Sequence, residues 1–209
     1  MIHFRIRDLL SVLLYRLLSP FFGAFGRKVR LVSPLRIYGA RYCRFGDDVA
    51  IQTGAYIAVL PPPGETARLE IGNGSKIGNF AHLVVRKRVT IGRKVLTADR
   101  LFVSDNIHEY DDPDVPVMDQ GLRQLAEVSI GDGSWIGENV CIIGCSIGQN
   151  CIVAANSVVT RDVPDRCVAA GAPARIVRRY CADAKAWRPT DAAGNFQPDD
   201  AAPRDEGVS

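Results

Sequence analysis

The chain of 209 residues reads as an all-β protein wound into a parallel β-helix of about five coils, with a helix in front and a cap behind. Three observations predict this class. Apolar residues recur every six positions, they come in sets of three, and each set opens on an apolar–Gly pair. Internal repeats of this kind set the whole architecture of a chain, because each repeat must bury its apolar side on its neighbours.

The sets run Phe45-Gly46, Ile51, Ile57; Ile71-Gly72, Ile77, Leu83; Ile91-Gly92, Thr97, Val103; Ile130-Gly131, Ile136, Ile142; and Ile147-Gly148, Val153, Val159. Neither the helix period nor strand alternation holds fifteen such positions in one register. Three sixes make one triangular turn, with an inward apolar residue on each side. Gly, Asn, Asp and Ser suit corners that need unusual backbone angles. Five layers at strand spacing give a rod of roughly 24 Å.

Two stretches leave the register, residues 60–68 (LPPPGETAR) and residues 104–129, and such insertions map to loops on the surface of a solenoid. The β-helix is expected over 31–164. An irregular cap follows over 165–182, and a flexible tail poor in large apolar residues over 183–209. Residues 1–30 are apolar but interrupted by Arg5, Arg7, Asp8, Arg16 and Pro20, too broken for a spanning helix. An amphipathic helix there has two readings. One is a cap on the open end of the coil, and the other is a peripheral membrane contact through residues 1–25.

A formal charge of +3 does not suggest a nucleic-acid partner. The six cysteines form no CxxC pair, and three of them fall inside the repeat, so they read as small packing residues in a reducing compartment. With no signal-peptide cleavage site, the expected location is cytoplasmic, including the inner membrane surface.

Residues 135–180, WIGENVCIIGCSIGQNCIVAANSVVTRDVPDRCVAAGAPARIVRRY, resemble the C-terminal half of the hexapeptide-repeat O-acetyltransferases. Within them the likeness is to enzymes of polysaccharide acetylation, relatives of the maltose and galactoside acetyltransferases. Residues 33–51 and 104–121 resemble the same group. The resemblance implies a left-handed coil, a homotrimer and active sites in grooves between subunits. It also implies acetyl-coenzyme A as donor, no metal, and a sugar or lipid-linked glycan as acceptor. The expected activity is sugar O-acetylation in the synthesis of O-antigen, capsule or exopolysaccharide. Two departures stand out, a five-residue step from Ile142 to Ile147 and Asn106 where relatives often carry a second histidine.

Acetyl transfer to an alcohol needs a base for the hydroxyl proton, and histidine titrates in the right range. Of the three histidines, His3 reads as a surface residue. By the resemblance, His108 in DNIHEYDDP is the general base, with Asp105 orienting its ring. His82 is either an acceptor contact or a plain surface histidine. Trp135 either packs a corner or, as the resemblance implies, walls the substrate groove. Gly137 and Ala155 match positions where small residues let the pantetheine arm approach. Thr160 and Arg161 match a Thr-Lys pair near the nucleotide, and Pro173 and Arg175 match the segment that closes over the adenine. Both arginines would otherwise read as a solvated basic cap.

Other classes remain to be weighed. A related coil of the carbonic anhydrase type needs three histidine ligands per zinc, and only His82 and His108 lie on the coils. A non-catalytic scaffold leaves the histidine loop and basic cap without a purpose. An antibiotic O-acetyltransferase would share both base and cofactor site.

Overall fold

The computed structural model describes residues 6–191 and 194–197. His3 and the expected tail beyond 197 lie outside these residues. A helix over Ile6–Leu17 leads into three parallel sheets that form the faces of a prism. The first face stacks Ala24–Phe25, Cys43–Phe45, Arg68–Ile71, Arg88–Ile91 and Val128–Ile130, and continues through bridges at Ile147 and Val163. The second runs from Arg30–Leu31 through Ala50–Ile51, Lys76–Ile77, Leu96–Thr97, Trp135–Ile136 and Ile152–Val153 to Cys167–Gly171. The third stacks Arg36–Tyr38, Tyr56–Val59, His82–Val85, Phe102–Ser104, Cys141–Ile143 and Val158–Val159.

All fifteen repeat positions are buried on the prism axis. Register stacks them directly, as in Phe45–Ile71–Ile91–Ile130 and Ile57–Leu83–Val103–Ile142–Val159. Burying an aliphatic side chain contributes about 1.5–3 kcal/mol, so these columns are the main cohesive term. Thr97 is the polar exception, and its hydroxyl accepts the Gly78 N–H at 3.0 Å inside the stack.

The apolar–Gly start has a steric cause. A methyl group on Gly131 would meet the backbone of Gly148 and Gln149 at 2.5–2.6 Å, and one on Gly72 would meet Gly92 at 2.6 Å. At this corner each coil rests its backbone on the next. Two corners of most coils also turn through a positive φ, carried by Asp48, Lys94, Asn150, Phe80, Arg100, Asn139 and Asn156 where glycine is absent.

Three sequence expectations need correction. The coils begin before residue 31, because Ala24–Phe25, Arg30–Leu31 and Arg36–Tyr38 form an extra tier paired with the set at Phe45. Phe25-Gly26, Leu31 and Ile37 keep the six-residue spacing and were legible as a further set. The cap is not irregular, since Cys167–Gly171 and Ala174–Cys181 form an antiparallel hairpin. Nor is all of the tail beyond 182 loose. Ala186–Pro189 pairs with Ala174–Cys181, and Trp187 stands edge-on to Tyr180 at 5.7 Å. An open sheet edge leaves backbone groups without partners, and this strand supplies them.

Candidate functional site

The insertion after Ser104 leaves the prism at the corner between its third and first faces. Asp105 anchors it. Its fully buried carboxylate accepts the backbone N–H groups of Arg86, Lys87 and Arg88 at 2.7–2.8 Å and the Asn106 side-chain amide at 2.9 Å. Four donors consume that carboxylate, so it pins the insertion to the preceding corner. This corrects the expected orienting role, in which Asp105 would hold the His108 ring. Asn106, the departure from the family pattern, is one of the four donors.

Beyond the anchor, Asn106–His108 pairs antiparallel with Leu122–Gln124, placing His108 opposite Leu122. Gln124 donates to the Asp105 and Leu125 carbonyls, and Gln120 donates to those of Asp112 and Val115. Arg123 pairs with Asp111 and covers the Tyr110 ring. The insertion is therefore an ordered arm, and His108 is exposed on it.

On the third face, Tyr56, His82 and Phe102 stack along one outward row. The His82 ring stands edge-on to Tyr56 at 4.5 Å and to Phe102 at 5.5 Å. Partial burial in this ladder lowers the His82 pKa, which favours the neutral ring. All three residues sit one place before an inward position, so the row was legible in the repeat.

Trp135 lies half exposed on the second face, between Leu96 and Ile152 of adjacent coils. Gly137 and Ala155 follow at the corner between second and third faces. Gly137 is not free to admit a ligand, because a methyl there would meet the Ala155 amide nitrogen at 2.5 Å. Its small size serves coil stacking, and exposed Ala155 is the residue that leaves the corner open. The cap hairpin reaches this corner too, where the Gly171 N–H donates to the Ser157 hydroxyl at 3.1 Å. Pro173 and Arg175 occupy the exposed turn and start of that hairpin, and the Arg175 guanidinium donates to the Ala174 carbonyl. Thr160 and Arg161 are exposed where the chain leaves the third face.

Within one chain these residues form two groups at different corners. Trp135, Ala155 and the hairpin tip gather at one, and the His108 arm with Thr160 and Arg161 at the other, with His82 on the face between. Sequence reasoning overlooked a third feature. A cleft of about 390 Å³ at the corner beneath the arm is lined by Arg41, Arg44, Arg68, Lys87, Arg88 and Glu127. Arg68 and Arg88 stack directly, each three places before an apolar–Gly pair, so the spacing alone could have found them. Glu70 pairs with Arg44 and Arg68, and Glu127 with Lys87, so two carboxylates offset part of the charge of the five cations around the cleft. Among the described residues no group of three His, Cys, Asp or Glu is placed to hold a metal.

A parallel prism carrying hexapeptide repeats defines a recognised class, and the comparisons agree. Residues 127–161 match the hexapeptide repeat of succinyl-transferase. The chain is similar to a putative lipopolysaccharide biosynthesis O-acetyl transferase, WbbJ, of Escherichia coli K12, at 36% identity over 119 residues, covering 54% of this chain and 61% of the relative. It is 40% identical over 96 residues to the galactoside O-acetyltransferase of the same organism, covering 43% of each. The chain thus spans about half the length of the curated relatives it matches. Among solved structures, AntD, an N-acyltransferase from Bacillus cereus in complex with dTDP and coenzyme A, shares the fold. Its TM-score is 0.67 at 19% identity, over 81% of this chain and 90% of that one. A hexapeptide-repeat acetyltransferase from Vibrio cholerae, complexed with acetyl coenzyme A, gives 0.51 at 27%, over 79% and 75%. The likeness to hexapeptide-repeat O-acetyltransferases read from the sequence is borne out by the family match and the curated relatives, and the solved structures share the fold.

Proposed function

We propose that the chain is an acetyl-coenzyme A-dependent O-acetyltransferase acting on a sugar hydroxyl in surface-polysaccharide biosynthesis. It works in the cytoplasm as a homotrimer, with reaction centres between neighbouring copies. One observation carries this reading: the arm pinned by Asp105 leaves His108 exposed at a different corner of the prism from Ala155 and Trp135. A histidine presented in this way acts on a ligand lying against a neighbouring copy.

The roles follow from chemistry. A neutral His108 ring nitrogen takes the proton of the acceptor hydroxyl as its oxygen attacks the thioester carbonyl carbon. The C–S bond breaks, and the proton passes from His108 to the departing thiolate. The donor's pantetheine arm lies along the corner that Ala155 leaves open, with Trp135 as a wall. Pro173 and Arg175 beside that corner, and Thr160 and Arg161 of the neighbouring copy that brings its His108, stand at the nucleotide end, where a guanidinium offers a planar fork to phosphate. His82, neutral in its aromatic row, is the acceptor contact on the face between the two corners.

Release of free thiol from acetyl-coenzyme A, followed across sugars, lipid-linked glycans and hydroxylated antibiotics, tests the acceptor class. A His108→Ala chain is expected to keep its assembly and donor affinity while turnover falls by about 10²–10⁴-fold. Near wild-type turnover in that variant removes His108 from the chemistry. Turnover on the antibiotics alone moves the acceptor away from sugars.

A further inference from the structure

The helix Ile6–Leu17 is amphipathic, yet it is mounted with its apolar side outward. Asp8, Ser11, Val12 and Tyr15, spaced i, i+3, i+4, i+7, form its sheltered stripe. Ser11 donates to the Leu31 carbonyl at 3.1 Å and accepts the Ser33 N–H at 2.9 Å, while the Ser33 hydroxyl donates to Asp8 at 2.9 Å. Closure of the prism end falls to Tyr15 and an aromatic cluster of Phe22, Phe25 and Phe45. The opposite side carries Ile6, Leu9, Leu10, Leu13, Leu14 and Leu17, each 51–79% exposed, and no residue of the helix is buried. A helix serving only as a cap would turn these leucines onto the core.

Charge says what covers them. Residues 1–45 hold nine Lys or Arg and one Asp, a net +8, so the rest of the chain carries −5 of the total +3. Arg7 and Arg16 flank the leucine stripe, and exposed Lys28, Arg30 and Arg36 stand on the adjoining tier. An apolar stripe edged by cations is the pattern of a helix lying in a bilayer interface, with basic groups at the level of anionic headgroups. Among the described residues no helix is long and apolar enough to cross a membrane. We propose that the prism docks by this end on an anionic lipid bilayer, with the leucine stripe of the helix inserted among the headgroups. The inference does not rest on the reaction assigned above.

Co-sedimentation of the full chain with vesicles of neutral phosphatidylcholine, with and without phosphatidylglycerol, tests it. The expected result is at least tenfold stronger partition onto the anionic vesicles, weakened by salt, with removal of each of Arg7 and Arg16 costing about fivefold. A Leu10→Glu/Leu13→Glu chain should lose partition while keeping its melting temperature, oligomeric state and thiol release on a soluble acceptor. Equal partition on neutral vesicles, or none on anionic ones, overturns the proposal. So does a change in oligomeric state in the double variant, which would assign the stripe to a second copy of the chain.

Discussion

Asp105 shows how a single buried carboxylate is spent. Three backbone N–H groups and one amide converge on it, and hydrogen bonds to a charged group contribute about 1.5–3 kcal/mol each. Asp105→Ala strands those donors and is expected to cost about 3–5 kcal/mol, read as a lower midpoint of thermal or denaturant unfolding. Because the carboxylate does not touch the imidazole, the pH–rate profile of the surviving activity should keep its shape. A displaced acidic limb would restore the orienting role. At the same scale, burial pushes the Cys43 thiol up to about 12 and Cys145 up to about 11, as expected of packing residues kept as neutral thiols.

At the scale of the element, the corner glycines set the pitch. Gly131 faces the backbone of the next coil, whereas Gly64, in the Pro-rich loop, has nothing within 4 Å. Both can be replaced by alanine, and the contrast isolates stacking from backbone strain. Gly64→Ala, at φ +79°, should cost about 1–2 kcal/mol through its left-handed conformation alone. Gly131→Ala forces coils apart and should cost about 3 kcal/mol or more. Equal unfolding midpoints for the two chains would mean that the coils do not rest on each other at that corner. The arm over residues 104–127 is the complementary case, an element built from paired strands and side-chain–backbone bonds rather than from a core.

At the scale of the whole molecule, the two corners that hold the candidate residues make a prediction about assembly. If a reaction centre joins the His108 arm of one copy to the Ala155 corner of another, two inactive variants can rescue each other. His108→Ala and Ala155→Trp chains, each inactive alone, should regain about a quarter of wild-type activity after unfolding and refolding together in equal amounts, because one interface in four then carries both intact halves in a closed ring. No recovery in the mixture, with assembly intact, would place the centre within one chain.

Much of the prism was readable before any coordinates. A six-residue spacing is a local, periodic signal that survives in the linear chain, and it located all fifteen axial residues. The same spacing held the tier at Phe25, Leu31 and Ile37 and the outward rows of Tyr56, His82 and Phe102. The family likeness pointed to His108. What the linear order could not supply was which way side chains face once coils stack. Asp105 is a sequence neighbour of His108, yet three of its four donors lie seventeen to nineteen residues back, one coil away. Gly137 looked open and is filled by the next coil's backbone. The first helix read either as a cap on the coil or as a membrane contact, and its leucines point outward. Periodicity alone therefore determined the prism and its axis, because burying an apolar column is repeated in every coil. Only the tertiary structure decided the contacts between coils, since hydrogen bonds and steric closeness across a stack join residues whose separation no short window reveals.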